Sequence, residues 1–426
     1  MNRALLFLTC LFSVAAARAE ILAVRADAMV DVDAGRLVPD AVVLIEDGRI
    51  TAAGPAQDVS IPAGTDVIRL EGQTVLPGLI DMHVHLTSSH AYPGYKRLAL
   101  SDERRAIQGV MHARRTLMAG FTTVRNVGAQ SFGDVALRDA IAAGEVPGPR
   151  MFVSGPPIGI TGGHCTGANL LPPEYDQRGE NDADGPWAAR AAVRRNIKYG
   201  ADLIKTCSTG GVLSKGTKVG APQYTVEELT ALVDEAHSRG LRVASHAHGS
   251  EGIVNALKAG VDTIEHASFI DDEGIRLARE QDAYLAMDIY VTEYILGEGA
   301  RSGILEESLE KERMTGTRQR ENFRKAFEAG VKMIYGTDAG VYPHGDNAKQ
   351  LSRMERFGMP PADVLRAATS TAAEALGQKE TIGRLAPGYH ADMVAVLGNP
   401  LLDLALLEAP SFVMKEGVVY LGNGSP

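Results

Sequence analysis

Gly78-Leu79-Ile80-Asp81-Met82-His83-Val84-His85 is the stretch on which the fold reading turns. An apolar run ends in two histidines one residue apart. On a strand, side chains alternate between faces, so His83 and His85 point the same way. Two imidazoles on one face, at the end of a buried strand, can grip one cation. The pattern also fits an ordinary strand end with two hydrogen-bonded histidines, and the stretch alone does not choose between these readings.

Downstream, the chain alternates. Helical patterns cover 101–118, 136–143, 187–199, 226–238, 253–259, 272–280 and 318–329. Each is followed by a short β-prone run, at 121–124, 151–153, 203–206, 241–245, 263–265, 284–289 and 331–335. Thr225 reads as an N-cap with acids behind it. Glycines at 120, 240, 260 and 330 fit helix C-caps. With the opening strand this makes eight strands alternating with helices. The expected fold is α/β, a (β/α)8 TIM barrel with its site at the C-terminal ends of the strands. Helices at 347–357 and 361–376 are expected to close it.

Upstream, 21–24, 41–45 and 49–53 are β-prone runs separated by Asp33-Ala34-Gly35 and Glu46-Asp47-Gly48 turns. The tail repeats the style at 390–397 and 412–420. Strands at both ends and a helical middle imply one composite β-sandwich, from residues 20–77 plus 380–426, beside a barrel of residues 78–379. At the start, Asn2-Arg3, the apolar run 4–16 and Ala17-Arg18-Ala19 read as a signal peptide over 1–19. The mature chain is then expected to be secreted or periplasmic. The leader's apolar run is too short for a confident membrane span, and no later stretch reads as one.

The full chain has 426 residues and a formal charge of −10. That length allows a large core, and that charge argues against nucleic acid as a partner. Of three cysteines, Cys10 leaves with the leader. Cys165 and Cys207 could pair in an exported protein, but free buried thiols are the expectation for two cysteines in so long a chain.

Polar residues at strand C-termini are the functional candidates in such a barrel. The first strand ends in His83 and His85, the fourth carries Lys205, the fifth runs into His246 and His248, the sixth into His266, and the eighth into Asp338. Nitrogen and oxygen donors from five strands converge on one mouth. Any one of them has an ordinary structural explanation, such as a hydrogen-bonded strand end or a turn cap. Their joint placement does not.

These residues carry a resemblance. Residues 75–85 (VLPGLIDMHVH), Ile264-Glu265-His266, Gly336-Thr337-Asp338-Ala339-Gly340 and residues 383–392 (GRLAPGYHAD) resemble the amidohydrolase superfamily of metal-dependent hydrolases, whose members carry a urease-like sandwich. Residues 245–249 (SHAHG), Gly162-Gly163-His164 and residues 338–345 (DAGVYPHG) are similar to its prolidase-like carboxypeptidase and dipeptidase branch, some members of which cleave the amide of ochratoxin A.

The resemblance implies roles. His83, His85 and Asp338 would bind one divalent metal and His246 and His266 another, with Lys205 bridging both as a carbamate. Zinc suits this set, and manganese or cobalt would also bind it. Two close metals would give hydroxide from water near neutral pH, with Asp338 as proton shuttle to the leaving nitrogen.

His248, two residues past a ligand, would face the same mouth where the branch usually has tyrosine. His164 in its glycine-rich loop, Tyr290 at the end of the seventh strand, and His344 beside Tyr342 on the rim complete the substrate-binding candidates. His90, His112, His237 and His390 read as ordinary structural or surface histidines. Long excursions at 161–184 and 212–223 would shape the pocket.

The expected activity is hydrolysis of the amide before the C-terminal residue of a short peptide or N-acyl amino acid. Alternatives are a cyclic-amide hydrolase like imidazolonepropionase, a lactonase or phosphotriesterase, and a non-catalytic metal-binding protein. The expected partners are small molecules or short peptides and, as in many family members, further copies in a homo-oligomer.

Overall fold

The computed structural model describes residues 21–166, 168–175 and 178–422. The expected leader at 1–19 lies outside them. Four strands open the fold, β1 (Ile21–Asp31), β2 (Arg36–Glu46), β3 (Arg49–Pro55) and β4 (Asp66–Pro77). Eight shorter strands follow: β5 (Leu79–Val84), β6 (Phe121–Asn126), β7 (Arg150–Val153), β8 (Ile204–Cys207), β9 (Val243–Ala247), β10 (Thr263–His266), β11 (Tyr284–Ala286) and β12 (Lys332–Ile334). The chain ends on β13 (Met393–Leu397), β14 (Phe412–Lys415) and β15 (Val418–Leu421).

β5 to β12 are the eight strands expected between helices. They pair in sequence order, all parallel, as a three-stranded sheet β5-β6-β7 and a five-stranded sheet β8-β9-β10-β11-β12. Single parallel bridges join the two sheets at both edges, Ile158 to Thr206 and Val84 to Ala339. All eight are covered by α1 (Asp102–Met118), α2 (Gly133–Ala142), α3 (Pro186–Lys198), α4 (Val226–His237), α5 (Ser250–Lys258), α6 (Asp272–Glu280), α7 (Val291–Ser302), α8 (Glu306–Glu328), α9 (Lys349–Arg356), α10 (Pro361–Ala367) and α11 (Ser370–Ala375).

Local chemistry sets these helix ends. The Ser101 hydroxyl accepts from Arg104 N, and Thr225 and Glu228 form a reciprocal capping box. Gly120, Gly240, Gly260 and Gly330 all adopt positive φ just past a helix.

The terminal strands form one seven-stranded mixed sheet, ordered β15-β14-β13-β4-β1-β2-β3. This is a single continuous sheet, not the two facing sheets expected. It nonetheless wraps onto itself. The β2–β3 turn meets the β14–β15 turn so closely that a Cβ on Gly48 would lie 2.6 Å from the Glu416 carbonyl oxygen. Strand alternation divides its side chains between two cores. Val75, Met393 and Ala395 enter the sheet's own cluster, while Leu76, Val394 and Val396 join the large core of the parallel strands.

Four local expectations are corrected. β11 stops at Ala286 rather than Ile289, and α7 and α8 replace the single helix expected at 318–329. The inward side of α8 carries Ser308, Lys311, Glu312, Thr315 and Gln319, so apolar periodicity could not reveal it. The helix expected over 361–376 breaks at Thr369, whose φ is −142° and ψ −96°. Cys165 and Cys207 are joined in a disulfide, with Cα atoms 5.8 Å apart, and are not free thiols. The excursion after β7 returns along β8 through the Ile158–Thr206 bridge, which brings the two cysteines together.

Candidate metal centre

A cavity of about 340 Å³ opens where the parallel strands end. His83, His85, His164, Lys205, His246, His248, His266 and Asp338 all line it. Two groups of donor atoms lie close enough to hold a cation, His246 with His248 and His266, and His83 with His266 and Asp338. His85 Nε2 is 3.2 Å from Asp338 Oδ1, and His83 Nε2 is 3.5 Å from the same oxygen. The grouping differs from the expected one in that His266 is shared and His248 lies among the donors.

The imidazoles are held from behind. His83 Nδ1 faces Glu265 Oε2 at 2.9 Å, and His266 Nδ1 faces Asp288 Oδ1 at 2.8 Å. His248 Nδ1 pairs with Ser268 Oγ at 2.8 Å, His164 Nδ1 with Ser214 Oγ at 2.9 Å, and His85 Nδ1 with the Gly128 carbonyl at 3.3 Å. Anchoring Nδ1 fixes the ring and leaves Nε2 as the donor, the usual outer-shell arrangement of metal histidines. The carboxylates behind them are themselves held: Arg125 Nη2 donates to Glu265 at 2.6 Å, and Gln319 donates to Asp288 at 2.8 Å.

Electrostatics agree with this arrangement. Burial, reinforced by the Lys205 charge, lowers His83 to about 4. Burial and the neighbouring imidazoles push His246 and His248 well below their ordinary value. Neutral imidazoles are the form that binds metal. His266 is the exception: burial opposes its charge, but the Asp288 carboxylate outweighs burial and raises it. Asp338 is held low against burial by His83, His85 and His266, so it is ionised. Burial lowers Lys205 to about 8.

The donors fit divalent cations on a further observation. Among the described residues, Lys205 Nζ and His246 Nε2 are buried and have no hydrogen-bond partner. An unsatisfied buried polar group costs about 1–3 kcal/mol, which a bound cation at this donor set would relieve. His266 and Asp338 also adopt left-handed backbone, with φ of 70° and 58°. Strain of this kind persists where surrounding structure over-determines it. At Asp338 that structure is Asp81, which accepts from Thr337 N, Thr337 Oγ1 and Asn347 Nδ2.

Two substrate candidates do not line the cavity. Tyr290 begins α7 and packs edge-on to Tyr342 at 5.0 Å, with Arg353 over its ring. His344 stacks on His112 at 4.3 Å and pairs with the Ser88 carbonyl. His164 does reach the donors, its ring centre 4.0 Å from that of His246. Gly211 permits this approach, since a Cβ there would lie 2.4 Å from the His164 ring.

Sequence reasoning missed Glu265, Asp288, Arg97 and His90, of which all but Glu265 line the cavity. Glu265 was visible in the Ile-Glu-His motif. Asp288 sat inside a strand read three residues too long, which drew notice to Tyr290 instead.

Residues 74–422 match the amidohydrolase family, and the chain belongs to it. It is 31% identical to an ochratoxinase from Aspergillus niger over 376 residues, which span 82% of this chain and 76% of that protein. The crystal structure of a Xaa-Pro dipeptidase with methionine bound in its active site is similar at a TM-score of 0.89 and 36% identity, over 94% of this chain and 100% of that one. The crystal structure of the A. niger ochratoxinase gives a TM-score of 0.84 at 29% identity, over 95% and 96%. The enzyme is thus a hydrolase of the branch that includes ochratoxinase and prolidase-like proteins.

Proposed function

We propose that this enzyme hydrolyses the amide before the C-terminal residue of short peptides or N-acyl amino acids, amides of the ochratoxin A type included. The observation that carries the reading is the ionised, partly buried Asp338 beside two imidazole Nε2 atoms at the mouth of the parallel strands. In this reading the eight strands act as one closed barrel. His83, His85 and Asp338 would hold one divalent cation and His246 and His266 a second, with His248 at hand, and Lys205, carbamylated by carbon dioxide, would supply anionic oxygens to both.

When bound, the cations supply Lewis acidity to the scissile carbonyl and acidify water. Asp338 takes the proton of the attacking water and delivers it to the leaving nitrogen, which must be protonated to depart. Carbamylation of Lys205 requires its neutral amine, which burial favours. His164, whose Nδ1 pairs with Ser214 Oγ, donates to the substrate in this reading. Val212, Leu213, Val291, Ile295, Ile304 and Leu305 give the cavity an apolar wall suited to an apolar C-terminal side chain. Two similar proteins are by name a dipeptidase and an ochratoxinase, which supports an amide substrate. Export through the leader and assembly as a homo-oligomer are proposed from sequence alone.

The test is a panel of dipeptides and N-acyl amino acids set against cyclic amides, lactones and phosphotriesters, with metal content measured on the same sample. Fastest turnover on the acyclic amides is expected. Turnover confined to cyclic amides or esters would overturn the reading.

A further inference from the structure

Between β5 and α1 the chain makes a 3-10 turn, Gly94–Ala99. The turn is pinned on two sides. Lys96 Nζ donates to the Ser302 carbonyl at 2.6 Å, at the end of α7. Arg105 Nη2, from α1, donates to the Arg97 carbonyl at 2.7 Å. The side chains of Arg97 and Arg105 both line the cavity.

Several half-buried or buried arginines elsewhere hold a carboxylate: Arg125 holds Glu265, Arg150 holds Asp392 and Arg353 holds Glu293, while Arg242 donates to the Ala375 carbonyl. Arg97 and Arg105 differ. Among the described residues neither makes an ion pair, and the Arg97 side chain makes no hydrogen bond. Arg105 Nε is buried without a partner. The cavity's own acids are committed elsewhere. Asp288 is held by His266 and Gln319, Glu312 accepts from Thr292, and Asp338 faces His83 and His85.

An acidic chain has therefore left two partly desolvated guanidinium groups facing its cavity without an ion pair, Asp102 acting on Arg105 only from beyond ion-pair distance. Desolvating an unpaired cation is unfavourable, and the like charge of Arg105 adds to burial in weakening the Arg97 cation. An anion entering the cavity would remove both costs. Arg97 and the donors line the same cavity.

We propose that Arg97, backed by Arg105, receives the free α-carboxylate of the substrate's C-terminal residue. This rests on the amide-hydrolase reading and sharpens it. The enzyme then requires an unblocked C-terminus and rejects internal amides. A planar guanidinium binds a carboxylate through two parallel hydrogen bonds, so it also orients the scissile amide toward Asp338.

The experiment compares N-acetyl-L-phenylalanine, N-acetyl-L-leucine and N-acetyl-L-methionine with their carboxamides, on zinc-loaded wild type, Arg97→Met and Arg97→Lys. Wild type should prefer the acids. Arg97→Met should lose on the order of 100-fold in kcat/KM on the acids. It should stay within about threefold of wild type on the carboxamides. Arg97→Lys should recover part of the loss. An unchanged acid-to-carboxamide ratio in Arg97→Met would overturn the assignment.

If wild type cleaves neither member of any pair, the hydrolase reading has failed, and calorimetric titration with the same pairs decides the role of Arg97. Tighter binding of the acids that disappears in Arg97→Met supports it, and equal binding of acid and carboxamide by wild type refutes it. Far-UV circular dichroism verifies folding, and Arg97→Gln replaces Arg97→Met if that variant does not fold.

Discussion

Asp338 has a carboxylate where an amide of the same shape would still face the same imidazoles. Asp338→Asn keeps an oxygen for a cation but loses the negative charge and the site for a proton. The expected outcome is a fall in kcat of about 10²–10⁴-fold with metal content unchanged; wild-type turnover with metal bound would remove Asp338 as the shuttle. Glu312 makes a different test, through stability. Burial raises it to about 7 from an ordinary 4.5. The folded state therefore holds this proton between about pH 4.5 and 7 where the unfolded chain has released it, so its contribution to stability falls as pH rises through that window. Glu312→Gln has no such proton. In chelator-treated protein, urea unfolding should show the variant gaining on wild type from pH 5 to pH 8, by up to about 3 kcal/mol; a parallel pH course for both would contradict the raised value. At this scale the donors were legible because each ends a strand, where barrel geometry concentrates function. Glu265 and Asp288 were harder to read because they act through another side chain. Arg97 lies on a turn with no periodic pattern.

Among elements, the excursion after β7 and the end of β8 share one covalent tie. Cys165 follows His164 directly, and Cys207 lies two residues beyond Lys205. The bond closes a sequence separation of 42 residues, for which chain entropy predicts about 4 kcal/mol of stabilisation. The Cys165→Ala, Cys207→Ala double variant should lose a comparable amount in urea unfolding. It should also lose kcat/KM, because the loop that holds His164 against His246 is freed. Unfolding that is indifferent to both the double variant and a thiol reductant would show that the tie contributes nothing. The pairing was not legible because spacing in sequence says nothing of distance in space, and it was the Ile158–Thr206 bridge that set that distance. The same limit hid α8. Its inward residues are polar because it backs a polar cavity, so the element nearest the chemistry carried the weakest helical signal. By contrast, α4 and α6 were read to within a residue, since caps and apolar spacing agreed there.

Over the whole molecule, the alternation of strands and helices and the union of both chain ends in one sheet were legible. The self-wrapping of that sheet was not, because it depends on contact between two distant turns. The donors are distributed across the same divide. His83 belongs to the three-stranded sheet and His246 and His266 to the five-stranded one, and the two sheets are joined by single bridges at their edges, a few further backbone hydrogen bonds and the Arg125–Glu265 pair. A cation held by donors from both should act as a further joint between them. Ligand binding to the folded state alone adds about 4 kcal/mol at a free concentration 1,000 times its dissociation constant. Removing metal with a chelator should therefore lower Tm by several degrees, and adding zinc back should restore it. If the joint spans both sheets, His83→Ala and His266→Ala should each remove most of the zinc-induced rise, although they alter different sheets. A rise that survives either substitution in full would place the cation within one sheet and leave the strand ends without a common centre.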